Sequence, residues 1–167
     1  QNSSAQDDWQ LWSENDINYK INDQWSFHWK PKWVVKEDMS DLDYWEMVQG
    51  FKYKAHKHLD LGIYHLYAQD DQPGATESKE HRLRTEATVK TNWKGLKWED
   101  RNRYEFRTID GRSKSRYRNR IKVSKKFNLW DMEIKGYVSN EFFIDFEVDD
   151  FNQNRGVIGF ERKLNTN

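Results

Sequence analysis

Residues 97–107 read KWEDRNRYEFR, and within them Glu99, Arg101, Arg103, Glu105 and Arg107 fall at a spacing of two. Side chains return to the same side at every second residue in an extended strand, so these charges share one face of a β-strand. The same period runs outward in both directions. Upstream, Trp25, Phe27 and Trp29 alternate with Ser26 and His28, and Leu59, Leu61 and Ile63 with Asp60 and Gly62. Leu83, Ala87 and Val89 alternate with Arg82, Arg84, Glu86 and Lys90. Downstream, Arg116, Arg118, Arg120 and Lys122 keep the spacing, and Met132, Ile134, Val138, Phe142 and Ile144 alternate with Asp131, Glu133, Lys135, Tyr137 and Glu141. Such extended alternation marks strands with two chemically distinct faces.

Nine strand segments follow from this pattern, over 8–21, 24–35, 44–55, 58–68, 81–94, 97–107, 115–125, 130–145 and 152–164. Many exceed the usual length of about 5–6 residues in a soluble sheet. They approach the roughly 9–11 residues with which a tilted strand crosses a bilayer. Short turns are expected at Asn22-Asp23, Ala55–His58, Lys94–Leu96 and Lys125–Leu129. Longer polar loops are expected at Lys36–Asp43, Gln69–Glu80, Thr108–Lys114 and Phe146–Phe151. Short turns at one end and long loops at the other are the habit of outer-membrane barrels, and they place the N-terminus in the periplasm. No linker or composition break divides residues 1–167, which read as one domain.

Composition narrows the classes. Lys+Arg and Asp+Glu each number 28, so the net charge of +0 lacks the basic excess of a nucleic-acid binder. Mean hydropathy is -1.18 with 34% charged residues, values seen in disordered chains. The 16% aromatic content, with nine Trp, argues instead for a folded chain. Zero Cys removes disulfides, thiol nucleophiles and thiolate metal sites together.

Each face points to an environment. Arginine columns beside carboxylate columns can pair across the ladder, and Arg101, Arg103, Glu105, Arg118, Arg120, Glu133 and Glu141 are the expected interior network. A small barrel with a polar interior needs that pairing, because an unpaired buried charge is strongly unfavourable. The aromatics cluster near strand ends, and Trp25, Trp33, Trp45, Trp93, Trp98 and Trp130 are the expected membrane-interface girdles. The competing account is a soluble lipocalin-like binding barrel, with the aromatics filling its core and the charges in water.

Five segments carry a resemblance to a known family: DDWQLWSENDINYKINDQWSFHWKPKW, DRNRYEFR, RYRNRIKVS, GYVSNEFF and FNQNRGVIGFERKLNTN. In order and spacing, over nearly the whole chain, they resemble the domain of unknown function 2490 family. The resemblance implies an outer-membrane β-barrel of a Gram-negative envelope and brings no catalytic residues with it. Such proteins continue past a turn like Leu164–Asn167 into a final strand, and bacterial barrels use even strand numbers. The expectation is therefore a barrel of about ten strands, with either the count of nine off by one or the C-terminal strand missing.

Catalytic signals are weak. His56 and His58 flank Lys57 and could hold a metal only with a carboxylate such as Asp60, so a solvated turn is the favoured reading. The acidic stretch Glu147, Asp149, Asp150 lacks the spacing and glycine of a calcium loop. No Gly-x-Ser-x-Gly or His-Glu-x-x-His is present. The surplus of arginine is the more informative feature: Arg82, Arg84, Arg107 and Arg116 form a candidate anion-binding wall beside the network.

The expectation is an all-β, antiparallel up-and-down β-barrel, charged inside and apolar outside, in a bacterial outer membrane. Its function is read as non-enzymatic, a structural or accessory component of the envelope, without cofactor or metal. Its expected partners are outer-membrane lipid and a larger envelope assembly, with no nucleic acid. The alternatives are a narrow anion-preferring pore or acidic-glycan-binding barrel, the soluble binding barrel, and a lipid- or glycan-modifying enzyme.

Overall fold

The computed structural model describes residues 11–36, 41–70, 77–129, 132–147 and 150–162. Its strands are β1 (Leu11–Glu14), β2 (Ile17–Lys20), β3 (Trp25–Lys36), β4 (Asp41–His56) and β5 (Leu59–Asp70), followed by β6 (Ser78–Trp93), β7 (Leu96–Ile109), β8 (Arg112–Leu129), β9 (Met132–Asp145) and β10 (Asp150–Arg162). They make one antiparallel sheet in the order β1-β3-β4-β5-β6-β7-β8-β9-β10, with β2 also paired to β3. Every pair from β3 onward joins consecutive strands, the meander that period-two alternation broken by turns implies.

The expected first strand, 8–21, divides into β1 and β2. β1 pairs with Lys32–Val35 and β2 with Ser26–Trp29, so the break lies opposite Lys30 and Pro31. Pro31 has no N–H to give to the ladder; its carbonyl still accepts from the Asn15 N–H at 3.1 Å. The ladder is therefore interrupted where the neighbour cannot donate and resumes in the same register, with Glu14 opposite Lys32 before the break and Ile17 opposite Trp29 after it.

Two connections differ from expectation. The segment Thr108–Lys114, read as a long loop, is a two-residue turn at Asp110-Gly111 with φ of 48° and 80°. Positive φ at both central residues is the tight hairpin form whose twist matches that of the strands, and Asp-Gly is suited to it. Lys94-Gly95 makes the same turn, at 49° and 74°, where a short turn was expected. The segment Lys125–Leu129, read as a turn, is the end of β8, with Lys126 opposite Lys135 and Leu129 opposite Met132. The expected loops at Lys36–Asp43, Gln69–Glu80 and Phe146–Phe151 lie partly outside the described residues, as do Trp130 and Asp149.

The sheet curls into a half-barrel, because side chains from strands as distant as β3 (His28, Lys30) and β10 (Arg155) line one cavity. Among the described residues, no ladder joins β10 to β1 or β2. The buried apolar cluster is small: Val48, Leu66 and Ala68, with Tyr44 and Tyr64 against it. Tyr64 is seated by glycine. A Cβ on Gly62 would lie 2.5 Å from its ring, and one on Gly50 would lie 2.2 Å from the Ile63 carbonyl oxygen.

Candidate functional site

The charges at spacing two on β6, β7 and β8 meet because the ladders align them. Arg84 stands opposite Glu105, Glu86 opposite Arg103 and Arg82 opposite Arg107. Across the next ladder Glu105 faces Arg116, Arg103 faces Arg118 and Arg101 faces Arg120. Glu105 is the centre of the lattice and is fully buried. Its carboxylate accepts from Arg116 at 2.8 and 3.1 Å and from Arg118 at 3.1 Å. Arg103, Arg82 and Arg84 lie 3.5, 3.7 and 3.7 Å away.

Arg118 couples this centre to a second one. Its other terminal nitrogen donates to Glu141 at 3.0 Å, and Glu141 also accepts from Arg101 at 2.7 Å. The guanidinium of Arg118 lies over the Phe143 ring at 4.5 Å, a face that attracts a desolvated cation. Arg103 is paired to Glu86 through two nitrogens at 2.8 and 2.7 Å. Glu80 takes the outer end, accepting from Arg82 at 2.8 Å and from Arg107 at 2.7 Å. Paired, multiply hydrogen-bonded geometry of this kind is what permits ionised side chains to be buried. Nearer the short turns, Asp60 lies between Lys52 at 2.9 Å and Lys90, whose ammonium donates to it.

The structure thus brings together Arg101, Arg103, Glu105, Arg118 and Glu141 of the expected network, with Arg82, Arg84, Arg107 and Arg116 of the expected wall around them. Arg120 sits among them without an ion pair among the described residues, although the ladder sets it opposite Glu141. Glu133 lies apart: it pairs with Lys126 at 2.8 Å and is 54% exposed. Its place near the end of β9 sets it far along the strand from Glu141.

Part of this lattice borders a cavity of about 560 Å³; Glu105 and, of the expected wall, Arg82, Arg107 and Arg116 are not in its lining. Nine cationic side chains line it (Lys30, Lys52, Arg84, Lys90, Arg101, Arg103, Arg118, Arg120 and Arg155) against six carboxylates. The carboxylates are Asp16, Glu46, Asp60, Glu86, Glu99 and Glu141.

The alternate residues of the same strands are apolar and exposed, among them Phe51, Ile63, Leu83, Phe106, Ile121 and Val138. Trp25, Trp33 and Trp93 are exposed too, while Trp45 and Trp98 are half-covered. Trp25 packs against Tyr53, ring centroids 4.7 Å apart, and Trp93 against Trp98 at 6.5 Å, both tilted pairs beside the short turns. Toward the other end Trp45 faces Trp33 in the ladder and packs against Tyr67 in a tilted pair at 5.1 Å.

One polar feature interrupts that face, and the sequence reading missed it. Asn119 Nδ2 donates to Asp100 at 2.5 Å and to Asn102 at 3.1 Å, and the Tyr117 hydroxyl donates to Asn102. Asn140 donates to Asn154 at 2.7 Å. The signal was present in the two Arg-Asn-Arg triplets, since period two sends each middle asparagine to the side away from its arginines.

The histidines do not assemble a metal site: no group of three or more His, Cys, Asp or Glu suited to a metal is found among the described residues. His58 Nδ1 lies 2.9 Å from the Lys90 carbonyl oxygen, while Asp60 is occupied by its two lysines. His65 and His81 meet at 3.5 Å. At the Asp110 turn, the Lys79 N–H and the Ser78 hydroxyl both donate at 2.8 Å, and they hold the Asp110 carboxyl below its ordinary pKa.

Among known proteins, the sequence model of a family described as "Protein of unknown function (DUF2490)" matches residues 9–167. No curated protein and no solved structure matches the chain.

Proposed function

The chain belongs to the DUF2490 family, and we propose that it is a non-enzymatic β-barrel of a bacterial outer membrane, a structural or accessory component of the envelope. In this reading the sheet closes into a barrel, the charged face lines its lumen, and the apolar face meets lipid. The N-terminus and the short turns lie in the periplasm.

One observation carries the reading. Glu105 and Glu141 are buried while Trp25, Phe51, Ile63, Leu83 and Val138, on alternate positions, are exposed. A water-soluble fold buries its apolar side chains and seldom buries Glu fully. It also seldom exposes so broad an apolar surface. Lipid reverses both preferences. The tryptophans support the same account. Trp25 and Trp33 are eight residues apart on β3, about 26 Å along the strand, near the roughly 25 Å apolar band of such barrels.

The test is the state of the full-length protein after fractionation of cells that make it. Recovery with the outer membrane, and a need for detergent to stay monodisperse, is expected. A protein that is monodisperse without detergent and found in a soluble fraction overturns the reading in favour of a soluble binding barrel.

A second reading, a narrow anion-preferring pore, is favoured by the open volume and cationic excess of the cavity. Barrels of this size are usually filled by side chains. Planar-bilayer recording separates the two: steady anion-selective channels, lost in R103S/R118S, would replace the structural role with conduction.

A further inference from the structure

We infer that the arginine-lined cavity binds an extended polyanion, a molecule carrying two or more phosphate or carboxylate groups, and that Arg84 and Arg120 anchor it. The inference deepens the proposed function by giving the concave face a ligand class, and it rests on that face enclosing the cavity.

Charge is the first argument. Nine cations against six carboxylates leave the lining with three positive charges in excess, His28 counted as neutral. The carboxylates of the lattice are already committed. Glu80 serves Arg82 and Arg107, Glu86 serves Arg103, Glu141 serves Arg101 and Arg118, and Glu105 serves Arg116 and Arg118.

The second argument is what remains unserved. Arg120 has no ion pair among the described residues, and its Nε is buried without a hydrogen-bond partner. Arg84 approaches Glu105 only at 3.7 Å, too long for a hydrogen bond, and its Nε is likewise unpartnered. The Nε atoms of Arg101 and Arg118 are in the same condition. The ladder also sets arginine against arginine, at Arg101/Arg120 and Arg103/Arg118, where like charges directly opposite repel. A structure that spends stability on such pairs gains it back when an anion enters between them. The guanidinium offers its donors as a planar fork matched to phosphate and carboxylate.

Spacing sets the size of the ligand. Arg84 is on β6 and Arg120 on β8, with β7 between, so their backbones stand about 10 Å apart across the sheet. Arg84 faces Glu105 and Arg120 faces Arg101, four residues further along β7, which adds about 13 Å along the strand. One small ion does not span that separation as well as a chain of linked oxyanions does. Phosphorylated and carboxylated glycans both present such a chain.

The experiment measures equilibrium binding of tripolyphosphate, tetragalacturonate and inorganic monophosphate to the folded full-length protein. It is run in detergent or in buffer, whichever keeps the protein monodisperse, so the result does not depend on membrane location. At least one of the two extended ions is expected to bind saturably and at least about tenfold more tightly than monophosphate. Which one binds identifies phosphate or carboxylate as the natural chemistry. Raising the salt to about 1 M shrinks the Debye length to about 3 Å and should weaken binding. In R84Q/R120Q the affinity should fall at least tenfold, whereas K126S, outside the cavity, should bind as the parent does.

Because Arg120 leaves no carboxylate orphaned when removed, R120Q alone should fold at least as stably as the parent while losing affinity. It carries the test if the double variant fails to fold. Absence of binding by both extended ions overturns the inference. So does equal affinity for monophosphate, or unchanged affinity in R120Q.

Discussion

Asn119 stands directly opposite Asn102 across the β7–β8 ladder, and its side-chain Nδ2 donates to the Asn102 side-chain Oδ1 at 3.1 Å. Two identical triplets, Arg101-Asn102-Arg103 and Arg118-Asn119-Arg120, are thereby paired end to end. Their arginines stand on the lattice side and their asparagines on the other. The pairing explains a polar patch on an otherwise apolar face: the Asn119 amide satisfies Asp100 and Asn102 together, and Asn119 is itself buried.

Replacing that amide by a shape-matched apolar group should expose its importance. In N119L, Asp100 and Asn102 each lose a donor, which costs about 1–3 kcal/mol when the remaining partner is buried. Chemical unfolding of the folded protein should show a lowered midpoint with an unchanged slope. A midpoint equal to the parent's would mean that water or neighbouring groups satisfy the two acceptors.

Removal of the central carboxylate should be more damaging. Glu105→Ala leaves the guanidinium of Arg116 without its buried partner and Arg118 with Glu141 alone, a loss of about 3–5 kcal/mol. Glu133→Ala serves as the comparison. Its exposed pair with Lys126 is worth at most about 1 kcal/mol. Unfolding midpoints for the two variants, measured side by side, should differ by that contrast. Equal midpoints would contradict the lattice.

The Asp110 turn gives a pH dependence whose sign is determined. Its carboxyl titrates below the ordinary 3.8 because the Lys79 N–H and Ser78 hydroxyl donate to the ionised form. A depressed folded pKa stabilises the fold above the unfolded pKa, and the contribution disappears as pH falls through the folded value. D110N should therefore unfold at a lower midpoint than the parent near neutral pH. The gap should close as pH is lowered from about 5 toward the acid side of the carboxylate range. A gap that stays constant across that interval would show that the carboxylate charge is not the source.

Two glycines should respond in opposite ways to the same substitution. G50A sets a Cβ 2.2 Å from the Ile63 carbonyl oxygen and 2.6 Å from the Tyr64 Cα, both backbone atoms that move only if β4 and β5 separate. Overpacking commonly costs about 1–3 kcal/mol, and the upper end or beyond is expected here. A Cβ at Gly156 meets nothing within 4 Å, so G156A should match the parent or gain about 0.5–1 kcal/mol by limiting the unfolded chain. Thermal unfolding of both variants checks the pair.

Strand content and the two-faced character of the sheet were legible from periodicity, because alternation is a local consequence of the pleat. The turns were only half legible. Lys94-Gly95 and Asp110-Gly111 adopt the same positive-φ geometry. Polar residues around the second, from Thr108 to Lys114, resemble a loop in composition although they pair with one another, Thr108 opposite Ser113 and Arg107 opposite Lys114. The break at Pro31 had a local cause that could have been read in advance. The membership of Glu133 could not, because it depends on register along β9.

What the sequence determined by itself was which residues share a face: arginines with carboxylates on one side, aromatics and aliphatics on the other, since side-chain direction in a strand follows position alone. Tertiary structure decided who pairs with whom. Register across each ladder and the curl of the sheet chose Arg101 and Arg118, not Arg120, as donors to Glu141. They gathered several arginines around Glu105 and left Arg84 and Arg120 facing a cavity without a partnered Nε. Those outcomes depend on distances between strands far apart in the chain, and a shift of two residues along any strand would preserve every face while changing every pair.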